Sequence, residues 1–150
     1  MQYTRRETIT VGALAVRFLI DATDSDGSVT VFECDVPARV QMPAPHSHDG
    51  FEETIYGLDG VSTWTIDGET IHIGPGDAVC VQRRLVHGFA NHGSVDAKFL
   101  AIATPGVFGA AYFREVADVL AASAEGSPDH AALDAVMRRH GLTPAPPSRT

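Results

Sequence analysis

The sequence predicts an all-β domain, a barrel or sandwich of short antiparallel strands, followed by a short α-helical extension. Three observations carry this. Between Thr8 and Thr104 the chain breaks into short alternating segments separated by Gly, Pro, Asp and Asn turn signals. Within that stretch, Ser62 to Ile73 reads STWTI-DG-ETIHI, an Asp-Gly pair between two alternating segments rich in β-branched residues, which marks a tight hairpin. Beyond residue 104 the apolar residues change from a period of two to near-helical spacing.

The elements follow in order. Thr8 to Ile20 is an apolar strand region, and the polar Asp21 to Ser28 segment, with Asp26-Gly27, is a turn. Phe32, Cys34 and Val36 alternate with Glu33 and Asp35, as on a half-buried strand. Met42 to Pro45 is proline-rich and enters the next segment in extended form. Gly74-Pro75-Gly76-Asp77 turns the chain again, and Ala78 to Val81 resumes a strand. Many short strands at this spacing imply a barrel or a sandwich. Val107 to Ala122 places Phe108, Tyr112, Val116, Val119 and Leu120 on a helix, and a second helix runs from about Pro128 to His140. Ser127 fits its N-cap, Pro128 its first position and Gly141 its C′ site, with Arg138, Arg139 and His140 in the last turn. The division expected is a barrel over 1–104, a helical extension over 105–141, and a frayed tail over 142–150 without chemistry.

Composition bounds the function. A chain of 150 residues, 44% hydrophobic, makes one compact domain. The formal net charge is −8 and Lys98 is the only lysine, so nucleic acid and acidic membranes are not expected partners. The positive charge is nearly all arginine, in the pairs Arg5-Arg6, Arg83-Arg84 and Arg138-Arg139. Cys34 and Cys80 do not form a disulfide framework and read as buried small hydrophobes on strands. The N-terminal stretch loosely imitates a twin-arginine signal, but Arg17 splits its apolar run and the run alternates like a strand, so a soluble, cytoplasmic protein is expected.

Four residues stand out. His46 and His48, in PHSHDGFEE, are two apart, so on a strand both imidazoles face one side. Glu53 follows on the next strand after the Asp49-Gly50 turn, and His87, in LVHGFANHG, can supply a third imidazole from a distant strand. Three imidazoles and a carboxylate suit one divalent transition metal ion, Fe, Mn, Ni, Co, Cu or Zn, with a position left open for substrate.

On these residues the sequence resembles the cupin superfamily. That family's first motif runs His-x-His, three or four residues, Glu, six residues, Gly. The chain reads His46-Ser47-His48, four residues, Glu53, six residues, Gly60. The second motif runs Gly, five residues, Pro-x-Gly, two residues, His, three residues, Asn. Here Gly76, five residues, Gln82-Arg83-Arg84, two residues, His87, three residues and Asn91 fill it. The six-residue gap to Gly60 selects Glu53 over the neighbouring Glu52. The chain departs from the pattern at Val40, where a glycine is usual, and at Gln82-Arg83-Arg84, which replaces Pro-x-Gly.

The resemblance implies a double-stranded β-helix, or jelly-roll barrel, with a short helical extension, like small single-domain metal-binding cupins related to quercetin dioxygenases. It implies a metal-dependent enzyme acting on a small molecule, foremost a dioxygenase taking an enol or phenolic substrate. Glu53 would then be both ligand and base for the substrate hydroxyl. A redox-neutral isomerase, cyclase or lyase is the alternative, and a non-catalytic binding cupin the third reading. In the cupin register Trp64 and Phe89 face the interior as core and candidate substrate contacts, and Gly57 would leave space beside them. Arg83 and Arg84 read either as a solvated turn or as an anion clamp, with Arg84 the candidate substrate contact. His72 is expected to face outward, His92 to sit in a turn, with a role at the pocket mouth as the lesser reading, and His130 and His140 to be solvated or capping. A homodimer is expected, as for cupins of this size, whose open β-edges need covering.

Overall fold

The computed structural model describes residues 7–41, 44–124 and 126–146. Arg5, Arg6, Met42, Pro43 and the last four residues lie outside the described ones. Among the described residues, eleven strands form two antiparallel sheets packed face to face. β1 (Thr8–Val11), β2 (Leu14–Ile20), β3 (Thr30–Val36), β5 (Glu52–Asp59), β8 (Ala78–Val81) and β10 (Ala97–Thr104) make a six-stranded sheet in the order β1-β2-β3-β10-β5-β8. β4 (His46–His48), β6 (Ser62–Ile66), β7 (Glu69–Ile73), β9 (His87–Ala90) and β11 (Leu142–Pro144) make a five-stranded sheet in the order β11-β4-β9-β6-β7. This is the jelly-roll architecture. Two helices, α1 (Ala110–Ala122) and α2 (His130–Arg139), precede β11, and neither is long and apolar enough to cross a membrane.

The strands follow the period-two pattern. β3 and β10 alternate buried and half-buried residues along their length, with Phe32, Cys34, Phe99 and Ala101 turned inward. The Asp67-Gly68 turn closes β6 onto β7 with both residues at positive φ, as a type I′ turn requires. The segment from Thr8 to Ile20 is two strands, because Gly12, at φ +58°, turns the chain back and pairs Val11 with Leu14. His72 faces outward, where its Nδ1 lies 3.2 Å from the Thr63 hydroxyl.

Several expectations are corrected. Gly57 opens no space in the interior, since a Cβ there would lie 1.9 Å from the carbonyl oxygen of Gly74. It is the close approach of β5 to the turn after β7, tied by Gly57 N–H to Asp77 O, that demands glycine. Cys80 is exposed, because β8 is an edge strand and Cys80, opposite Thr54, points outward; Cys34 is buried as read. α1 starts at Ala110, after Gly109, instead of at Val107. α2 is capped by Asp129, whose carboxylate accepts the Ala132 N–H, so Ser127 is not the cap. Gly141 does end that helix at φ +78°, with Arg138 and Arg139 in its last turn.

The largest correction is the tail. Leu142–Pro144, read as the start of a frayed end, is an interior-facing strand. It pairs with β4 in the register Leu142 to His48, Thr143 to Ser47 and Pro144 to His46. Leu142 is 1% exposed, and its burial offsets the entropy of ordering the segment. Asp49 N–H to Gly141 O, Ala145 N–H to Pro45 O and the Thr143 hydroxyl to the Asp49 carboxylate extend the clamp at 2.8–2.9 Å.

Candidate metal centre

His46 and His48 stand on β4 and His87 on the adjacent β9, where His46 and His87 are direct cross-strand partners. Glu53 stands on β5 of the opposite sheet, so the four side chains meet across the sandwich. One donor atom from each of the three histidines lies within 4.8 Å of the others, an arrangement that could hold a metal ion. The Nε2 atoms of His46 and His48 are 3.3 Å apart. Glu53 Oε2 lies 3.7 Å from His48 Nε2 and 3.6 Å from His87 Nε2.

The rings are aimed from behind. His87 Nδ1–H donates to the Leu85 carbonyl at 2.9 Å, which leaves its Nε2 lone pair facing inward, the usual outer contact of a ligating imidazole. His46 Nδ1 faces the Ala44 carbonyl at 3.4 Å. The His48 ring stacks on Phe51 at 4.2 Å, with its own Nδ1 buried and without a partner among the described residues. The turn before His87 forms although its sequence departs from the family pattern. Arg84, at φ +67°, takes the left-handed conformation where the motif has glycine, and its N–H bonds the His48 carbonyl at 2.9 Å. Asn91 is fully buried and saturates its side-chain amide, donating to the Val36 and Val95 carbonyls and accepting from Gly93 N–H. That fixes the end of β9. At the other departure, the Val40 carbonyl accepts the Asn91 N–H, so a side chain is accommodated there.

Burial, reinforced by neighbouring imidazole charge, pushes both His46 and His48 down to about 3; for His48 the Glu53 carboxylate opposes the shift. Both are neutral at physiological pH. Burial alone would raise the Glu53 carboxyl, but the imidazoles of His87 and His48 outweigh it and hold it below the ordinary carboxylate value. Glu53 is 7% exposed and has no lysine or arginine partner among the described residues. A buried carboxylate without a cationic side chain beside it calls for a cation, and a set of three nitrogens and one oxygen suits a borderline divalent ion.

The donors line a cavity of about 70 Å³. Trp64 and Phe89 are in its wall, stacked at 4.8 Å, as the sequence suggested. The Trp64 indole N–H is satisfied by the Ser62 hydroxyl. Arg84 is exposed and does not line the cavity, because the turn that carries it faces solvent. Arg83 pairs with Glu52 at 2.7 Å on the surface, which also takes Glu52 out of the ligand set. His92 borders a separate open groove on the outer side of β6 and β9. Sequence reasoning missed the far wall: Phe108, Tyr112, Phe113 and Val116, from α1 and the segment before it, close the cavity. Their near-helical spacing was visible, but spacing identifies an apolar face without saying what it covers.

Residues 32–103 match the Cupin domain family. Quercetin 2,3-dioxygenase of Bacillus subtilis (strain 168) is 29% identical over 102 residues, 68% of this chain but only 29% of that protein, so the chain spans under a third of that relative. Among solved structures, the polyketide cyclase RemF from Streptomyces resistomycificus superposes with a TM-score of 0.59 at 27% identity, covering 69% of this chain and 77% of that one. A predicted oxalate decarboxylase from Thermotoga maritima gives 0.60 at 22% identity, covering 67% and 91%. Residues 32–103, which carry both motifs, thus match the Cupin domain family, and the fold is shared with these solved structures over about two thirds of the chain.

Proposed function

We propose that His46, His48, His87 and Glu53 hold one divalent transition metal ion, and that the protein is a metal-dependent dioxygenase for a small enol or phenolic substrate. When bound, the ion supplies Lewis acidity for the substrate hydroxyl and a centre at which oxygen can react. The observation that carries the substrate class is the cavity wall. It is built from Val11, Leu14, Phe32, Phe99 and other apolar side chains, and no lysine or arginine among the described residues lines it. Such a wall desolvates a flat, neutral molecule at little cost and leaves a carboxylate or phosphate without a counter-charge.

Each residue then has a task. The imidazoles of His46, His48 and His87 are nitrogen donors, held by β4 and β9. Glu53 takes the substrate hydroxyl proton on a carboxylate oxygen, which a dry aromatic cavity makes a stronger base than in water. Trp64 and Phe89 form the flat surface against which a ring stacks.

The likeness to a polyketide cyclase supports a second reading, a redox-neutral cyclase or isomerase on the same ligands. Oxygen uptake separates the two. Protein loaded with iron, nickel or copper is expected to consume oxygen in step with conversion of members of a flavonol and enol panel. Conversion at full rate under nitrogen would eliminate the dioxygenase reading.

We also propose a homodimer, joined through the outer face of the six-stranded sheet. There Val31 and Ile102 are cross-strand partners, as are Leu100 and Tyr56, and Tyr56 is exposed. Sedimentation at micromolar concentration is expected to show twice the chain mass. A single species near 15.9 kDa would refute the dimer.

A further inference from the structure

We propose that the phenolic hydroxyl of Tyr112, on α1, is a substrate-contacting hydrogen-bond donor that completes the cavity opposite the histidine cluster. The inference rests on the metal-site reading above and goes beyond it, because every other polar group assigned to the site comes from the barrel strands.

Tyr112 is only 6% exposed and lines the cavity. Its hydroxyl has no hydrogen-bond partner among the described residues, although a buried tyrosine almost always finds one. The cavity that Tyr112 lines is the one lined by Glu53 and the three histidines. A bound molecule with an oxygen acceptor is the partner that satisfies the hydroxyl.

The ring is also held in place. Phe108 and Phe113 contact it at centroid distances of 4.9 and 5.1 Å, and His140 at 5.6 Å. His140 is in turn fixed by the Glu115 carboxylate at 2.7 Å, which ties α2 back to α1. A donor with its ring packed on three sides loses little entropy on binding, which favours tight recognition. Burial pushes the phenol up, and the Glu53 charge adds to the shift, so the group keeps its proton and donates. Its task is to hold the substrate oxygen that develops charge once Glu53 has taken the hydroxyl proton. Tyr112 itself transfers nothing.

The test uses the full chain loaded with cobalt(II), and reads visible absorption as acetohydroxamate is titrated in. This probe has two oxygens, one able to accept from Tyr112 while both face the ion. Tyr112→Phe removes only the hydroxyl and is expected to keep cobalt affinity and melting temperature while weakening acetohydroxamate about fivefold or more, the loss for a hydrogen bond to a charged group. Pyridine, which has no second polar atom, is expected to bind wild type and Tyr112→Phe equally. Unchanged acetohydroxamate affinity would overturn the proposal, as would equal weakening of both probes, which would mean that the residue only packs. Failure of the wild-type chain to take up cobalt would overturn the metal-site reading and this inference together, and shows before any probe is added.

Discussion

Cutting the chain after Gly141 is expected to lower its affinity for a divalent ion by about tenfold to a hundredfold, the range seen when the contacts behind metal ligands are lost. The reason lies in how little holds β4. That strand is three residues long, and its one cross-strand partner pair to β9 is His46 with His87. On the other side β11 pairs with all three of its residues, and the bonds at Asp49 and Pro45 close both ends. Without β11, His46 and His48 sit on an edge strand three residues long, and the two imidazoles lose the fixed separation a shared ion needs. Competition with a metal-sensitive dye, run well below the melting temperature, measures the change. Leu142→Ala is the control. It removes buried side chain at a cost of about 2–5 kcal/mol but keeps the backbone pairing, so its melting temperature falls while metal affinity holds. Equal affinity in truncated and full-length protein would show that β4 needs no clamp.

The contrast between that strand and the rest shows what the sequence could disclose. The candidate ligands were legible because each carries a distinctive donor and because a period of two fixes which residues share a face. His46 and His48 follow from that alone, and the hairpin at Asp67-Gly68 follows from two turn residues. Glu53 against Glu52 was decided by a spacing, and the structure places Glu52 outside on Arg83. Most of what failed was set by long-range packing. LTP is three residues with a proline, too short for any periodic signal, and its strand state exists only because β4 offers an open edge. Gly57 was placed on the correct strand, yet its reason lies in a turn seventeen residues on, which no local pattern shows. Arg84 was assigned by chemistry instead of direction: a guanidinium suits an anion, but the left-handed backbone there points it to solvent. The role of α1 was out of reach for the same cause, since its apolar face fits a barrel mouth, an outer sheet or a partner equally well.

The metal-free protein is expected to lose stability steeply as pH falls from about 6.5 towards 4, and the sign follows from the histidines. His46 and His48 titrate near 3 when folded and near 6.5 when unfolded. Between those values the unfolded chain binds protons that the folded chain does not, so acid draws the equilibrium towards unfolding; above 6.5 both states are neutral and the effect vanishes. Two such groups give at most about 2.7 kcal/mol per pH unit. Because His46 is only partly buried, a total near 4 kcal/mol down to pH 4.5 is the reasonable expectation, against about 5–15 kcal/mol for a whole domain. Glu53, lowered from 4.5, adds loss of the same sign below that value. Urea unfolding of dialysed apoprotein at pH 7.5, 6, 5 and 4.5 measures the slope. Substituting both histidines by glutamine is expected to flatten it across that range. A slope unchanged by the double substitution would place the acid sensitivity elsewhere, and would mean that the two imidazoles are not held neutral by the fold.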